Sequence, residues 1–173
     1  MNKVVRLALS FMLASITTFI LASIAHTQFV LNGLVDVGVV MNMAIRIEMS
    51  LKDLAGLAPG YGSILTLSLL LAFVVMSSIR NRYRIVGQHL TYWVYPVGGF
   101  IAVLTVHLLM KPIFDVTLIA GARSFMGLML QCLSGAVGGV IYTLSLKYLR
   151  RYHSGNVKKH RRSRRSTTTM PYQ

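Results

Sequence analysis

Residues 125–146 read FMGLMLQCLSGAVGGVIYTLSL, a run without a single Asp, Glu, Lys or Arg. A helix rises about 1.5 Å per residue and a hydrocarbon core is about 30 Å thick, so about 20 apolar residues suffice to cross it. This run is long enough. Its small residues are also ordered: Gly135 and Gly139 form a GxxxG step, Ser134 and Gly138 repeat it one position earlier, and Gly127 lies further up the same segment. Small side chains at four-residue spacing let two backbones approach, which is how spans associate where lipid offers no hydrophobic gain. The segment is therefore predicted to be the central packing helix, with Gln131 hydrogen-bonding across to a neighbour as structural glue. Cys132 is the chain's one cysteine, so no intramolecular disulfide forms, and its place in an apolar run reads as packing.

Three other stretches have the same character, near residues 7–25, 61–79 and 93–110, and none carries a charged residue. The whole chain is 54% hydrophobic and only 13% charged, with a mean hydropathy of +0.61. That is too apolar for an ordinary soluble surface. The expected fold is an all-α integral membrane protein with four transmembrane helices in one domain, residues 1–149, followed by a basic tail, residues 150–173. Lys3 and Arg6 precede the first span, and Ser23-Ile24-Ala25 at its end resembles a signal-peptidase site. The apolar run exceeds the about 7–15 residues of a signal core, so a retained anchor is expected.

The charges orient the spans. Lys3, Arg6, Arg80, Arg82, Arg84 and the cations from Lys147 to Arg165 share their segments with no acid, whereas Arg46, Lys52, Lys111 and Arg123 share the two alternate loops with all four acids, Asp36, Glu48, Asp53 and Asp115. The alternate loops sum to zero, and the formal charge of +14 falls on one side. Basic residues collect in cytoplasmic loops. Both termini are thus expected in the cytoplasm, and the spans form two in-out-in hairpins running parallel. The short basic start and compact loops suggest a bacterial inner membrane. Tyr92, Trp93 and Tyr95 fit an aromatic belt at the inner interface.

In the tail, Lys158, Lys159, Arg161, Arg162, Arg164 and Arg165 are expected to contact anionic lipid head groups, each contributing about 1 kcal/mol. Ser154, Gly155 and the run Ser166–Thr169 suggest disorder. No aromatic or Gly-rich motif interleaves the cations, so nucleic acid is disfavoured as a partner.

The two hairpins, residues 7–80 and 93–149, echo each other faintly. Phe19-Ile20 and His26 match Phe100-Ile101 and His107; Leu34-Val35-Asp36-Val37 matches Ile113-Phe114-Asp115-Val116. A tandem repeat about an axis along the membrane normal would draw His26, His107, Asp36 and Asp115 together at the outer face, a set able to hold a divalent metal or polar head group. The competing reading is hydrogen bonding at helix ends.

The first hairpin carries extra sequence, read as an amphipathic outer-face helix over residues 42–57. Met43, Ile47, Leu51, Leu54 and Ala58 share one arc, while Arg46, Glu48, Lys52 and Asp53 avoid it. Ile45 and Met49 lie opposite the stripe and imply a covering protein surface. Asn32-Gly33 and Gly38 suggest a break before this helix; Gly56 and Pro59-Gly60 suggest its end.

No Walker loop, GxSxG elbow, HExxH helix or dinucleotide glycine pattern occurs. Absence of carboxylates within the spans argues against ion-coupled transport. Catalysis is not expected, and His26, His107, Asp36 and Asp115 are the one acid/base set an enzyme would have. The sequence implies no cofactor, with a metal or quinone left open at that set. The expected role is an accessory, assembly or scaffold subunit of a membrane complex, meeting a protein partner or a second copy through the span-four small-residue face or the outer helix. The alternative is a small transporter, channel or binding protein for a metal, lipid or quinone.

Overall fold

A computed structural model describes the backbone of residues 2–82, 88–114 and 124–168, and the side chains of 2–82, 92–110 and 124–151. All regular structure in these residues is helical: α1 Lys3–Asp36, α2 Met43–Leu57, a π-helical turn Ala58–Gly62, α3 Ser63–Arg82, α4 Gln88–Phe114 and α5 Phe125–Thr168. Four helical stretches are long and apolar enough to cross a membrane: Lys3–Asp36, Met43–Arg82, Tyr92–Met110 and Phe125–Arg151. Each contains one of the expected spans.

The helices run past the expected limits for identifiable reasons. In α1, neither Asn32 nor Gly33 stops a helix of 34 residues. It ends instead at Gly38, whose φ of +92° is a left-handed conformation suited to glycine. There the Val39 N–H donates to Leu34 O at 3.1 Å and the Gly38 N–H to Val35 O at 2.9 Å, the paired bonds of a Schellman cap. Four residues later Asn42 starts α2, its Oδ1 accepting from the Ile45 N–H at 2.9 Å. Asn42→Ala is expected to cost α2 about 1 kcal/mol, read as faster amide exchange in its first turn.

Gly56 and Pro59-Gly60 do not end α2, contrary to the sequence expectation; the chain passes through the π-helical turn directly into α3. Proline lacks an N–H, and in an α-helix its ring collides with the carbonyl four residues back, so a locally wider turn relieves the clash without breaking the rod. Ser63 Oγ then donates to Pro59 O at 2.6 Å and Thr66 Oγ1 to Gly62 O at 2.8 Å. The tail differs too: α5 continues to Thr168, across the expected domain boundary. No proline lies between Phe125 and Pro171, Lys and Arg are good helix formers, and one glycine costs only about 1 kcal/mol.

Packing follows the order α1, α5, α4, α3. Along α1 and α5, Thr18 meets Gly138 and Ala22 meets Gln131; along α4 and α5, Gly99 meets Gly135 and Tyr95 meets Gly139. These pairs run in opposite chain directions. A Cβ on Gly99 would strike the Gly135 carbonyl, and one on Gly135 would strike the Gly99 carbonyl. The two backbones therefore touch. By contrast α1 meets α3 at two aromatic points, Phe19 over Gly62 and Phe11 edge-on to Phe73 at 6.3 Å.

One core cluster gathers Phe73, Tyr95 and Tyr142, with Phe73 and Tyr142 stacked at 4.6 Å and Tyr95 edge-on to Tyr142 at 4.8 Å. The other gathers Ala22, Tyr61, Leu65, Val103 and Cys132. Elsewhere the interior is small and polar: Ser10, Ser15, Thr18, Ser23 and Thr27 are buried, while Leu67, Leu71, Val74, Leu108, Leu133 and Leu144 are exposed. An exterior more apolar than the interior is compatible with a multi-pass membrane protein.

Candidate functional site

The buried polar groups converge at one node. Tyr61, set inward by the π-helical turn, donates its phenol proton to Gln131 Oε1 of α5 at 3.0 Å. Gln131 Nε2 donates to the Ala22 carbonyl of α1 at 3.0 Å. His107 of α4 completes the node: its Nδ1 donates to Val103 O at 2.8 Å, and its Nε2 lies 3.5 Å from Tyr61 Oη, with the rings edge to face at 6.0 Å. Since a carbonyl can only accept, Nδ1 carries the proton and neutral Nε2 is a lone-pair acceptor. Both Tyr61 and Gln131 are buried. The node ties α1, the π turn, α4 and α5 together, and its chemistry is that of satisfied hydrogen bonds.

A second, shallower seam joins α1 to α2. Thr27 Oγ1 contacts Asp53 Oδ2 at 2.8 Å, Gln28 Nε2 donates to Ser50 Oγ at 3.2 Å, and Arg46 Nη1 donates to both Gln28 Oε1 at 2.9 Å and Asn32 Oδ1 at 3.0 Å. The outer helix thus turns its polar side towards α1. Met43, Ile47 and Leu51, the core of its apolar stripe, are exposed. Ile45 is half-buried and Met49 exposed. Glu48 and Lys52 pair on the surface at 2.6 Å, where an exposed i,i+4 pair contributes only a few tenths of a kcal/mol.

The four residues grouped by the sequence fall apart in part. His26 is half-buried beside the seam and within electrostatic range of Asp53, a carboxylate outside that group. Asp36 is exposed at the last position of α1. His107 belongs to the Tyr61–Gln131 node. Asp115 lies outside the described residues. Among the described residues no three His, Cys, Asp or Glu side chains gather closely enough to hold a metal ion.

Of the small residues on α5, Gly135 and Gly139 face α4, Gly138 faces Thr18 and Ala14 of α1, and Ser134 is buried with its hydroxyl on the Gln131 carbonyl at 2.6 Å. Gly127 donates its N–H to Ser124 Oγ at 3.0 Å, capping the helix start. The side chains of Lys158, Lys159, Arg161, Arg162, Arg164 and Arg165 lie outside the described residues. Sequence reading missed Tyr61, Gly99 and the small face of α1. The last had a signal, the four-residue spacing of Ser10, Ala14, Thr18 and Ala22.

The chain matches no family model, no curated protein and no solved structure. Fold and site together define an all-helical protein with four helices able to span a membrane and a buried node of hydrogen bonds joining three of them.

Proposed function

We propose that this chain is a non-enzymatic accessory, assembly or scaffold subunit of a bacterial inner-membrane complex, with both termini in the cytoplasm and the tip formed by α1 and α2 on the outer side. The observation carrying this reading is the composition of that tip. Val37 is 75% exposed, Val40 91%, Met43 71%, Ile47 58% and Leu51 63%, while Arg46, Ser50 and Asp53 are engaged with α1. Beyond residue 25, α1 extends by 11 residues to Asp36, a further reach of about 16 Å at 1.5 Å per residue. A span that has already crossed about 30 Å of hydrocarbon carries such a tip into the interface or past it. An apolar face held there by polar anchoring suits a partner protein with a complementary apolar helix face. The tail cations, in this reading, hold the cytoplasmic end on anionic lipid.

Gentle solubilisation followed by blue-native electrophoresis tests the role. The wild-type chain is expected to migrate within a larger assembly, and the Ile47→Glu, Leu51→Glu double variant to migrate alone while keeping its helix content. A wild-type chain that is strictly monomeric and without companions sinks the proposal. An assembly containing this chain alone identifies a homo-oligomer. Orientation is tested separately by a reporter fused after Gln173, expected to be active in the cytoplasm.

A further inference from the structure

At the opposite end of the bundle from the node lies a pocket of about 310 Å³ between α3, α4 and α5. Its cations are Arg80, Lys147 and Arg150, and Tyr92, Tyr95 and Thr143 join them in its wall. We propose that this pocket binds the phosphate of an anionic phospholipid head group, clamped by Arg80, Lys147 and Arg150 and hydrogen-bonded by Tyr92. Three cations share one small space, and among the described residues the one ion pair is Lys52–Glu48 on α2. The chain's four acids all lie elsewhere, at Asp36, Glu48, Asp53 and Asp115. Like charges so placed repel until an anion enters.

The cations are also held in position before any ligand arrives. Lys147 Nζ donates to Tyr92 Oη at 3.0 Å and lies 4.9 Å from the ring centroid. The Arg80 guanidinium lies 5.3 Å from the centroid of Tyr95, whose buried ring is fixed by a 3.0 Å hydrogen bond between its hydroxyl and Ser77 Oγ. Tyr92 accepts from Lys147, so its own proton remains to be donated. Side chains immobilised in advance lose little entropy on binding, and guanidinium pairs well with phosphate oxygens. The lipid source is favoured over a free phosphate ester by position. Trp93, 67% exposed, and Tyr92 place the pocket at the depth where aromatic belts and head groups meet, and Leu146 gives it an apolar wall for the start of an acyl chain. The site is distinct from the tail cations.

The proposal rests on the chain being inserted in a membrane, and the experiment separates the two. The full chain is reconstituted in nanodiscs of phosphatidylcholine containing a minor fraction of phosphatidylglycerol, and retained lipid is measured by native mass spectrometry. Wild type is expected to retain phosphatidylglycerol in preference to phosphatidylcholine. The R80Q/K147Q/R150Q variant is expected to lose about tenfold or more of that preference. The exposed single substitution Arg150→Gln, which disturbs no internal contact, is expected to lose about threefold. A variant with all six tail cations from Lys158 to Arg165 changed to Gln is expected to keep the preference. Equal retention by wild type and the triple variant overturns the site, as does loss of the preference in the tail variant alone. Displacement of phosphatidylglycerol by millimolar inorganic phosphate assigns the pocket to a soluble phosphate and overturns the lipid assignment. A chain that fails to enter nanodiscs overturns the membrane reading with it.

Discussion

Replacing Gly135 with alanine is expected to destabilise the purified protein by about 3 kcal/mol, although it adds only one methyl group. The added carbon would meet the Gly99 carbonyl, with the Val103 Cγ2 at 2.5 Å and the Gly99 carbonyl carbon at 2.9 Å. A flexible side chain end could swing aside, but a helix carbonyl cannot move without its helix. Separation of α4 from α5 would strip contacts along both, including the Tyr95–Tyr142 pair and the approach of Gly139 to Tyr95 and Pro96. The control is Gly56→Ala. Gly56 is exposed in α2, and a methyl group there would meet nothing within 4 Å, so the substitution removes backbone freedom and is expected to gain up to about 1 kcal/mol. Cys132 offers the readout: it is the one cysteine in the chain and fully buried, so a thiol-reactive dye reports unfolding during heating in mild detergent. A Gly135→Ala curve that coincides with that of Gly56→Ala would show that the backbones are not in contact.

That close approach was half legible. The four-residue spacing of Gly135 and Gly139 marks a packing face on chemical grounds, because only small residues permit it. Which helix fills the face is a different matter. Gly98-Gly99 follows Pro96 in an ordinary apolar run, and nothing local says that its backbone opposes Gly135. The helices themselves were legible from length and absence of charge, properties that need no partner. Their ends were less so, since Gly33 and Pro59 are weak terminators in a chain where neighbouring packing and a widened turn can absorb them.

The outer helix shows where periodicity stops being informative. Its pattern locates the apolar stripe of Met43, Ile47 and Leu51, yet the same pattern describes a helix lying on lipid, packing inward or awaiting a partner. The deciding residues belong to another element: Gln28 and Asn32 of α1 lie one turn apart and take the two hydrogen bonds of Arg46. Similarly, matching hairpins by sequence pairs His26 with His107, whereas packing gives His107 to Tyr61 and sets His26 near Asp53. A tyrosine at the edge of an apolar run carries no local sign that its hydroxyl is turned inward. Only Gln131, an amide with no apolar reason to sit mid-span, announced its place in the node.

Gln131→Leu is expected to cost about 2–3 kcal/mol, the second largest single effect. The side chain makes two hydrogen bonds, to Tyr61 Oη and from its own amide to Ala22 O, both at 3.0 Å. A hydrogen bond between spans averages only about 0.6 kcal/mol, with a maximum of about 1.7, because an unfolded chain in lipid finds other partners. Two such bonds alone would not reach the expected figure. The remainder comes from the phenol, which leucine leaves buried without its acceptor. Removing both members should therefore cost less than the sum of removing each. Tyr61→Phe is expected to cost about 1–2 kcal/mol in the wild-type chain, where it orphans Gln131 Oε1, and close to nothing after Gln131→Leu. His107 sets the size of this difference. Its Nε2, 3.5 Å from the phenol, is the nearest substitute acceptor, and a shift of a few tenths of an ångström would bring it into range. His107→Phe should consequently be more harmful in the Gln131→Leu background than alone. Strict additivity across both cycles, measured by the Cys132 unfolding assay, would mean that the four groups sit side by side without sharing a proton acceptor.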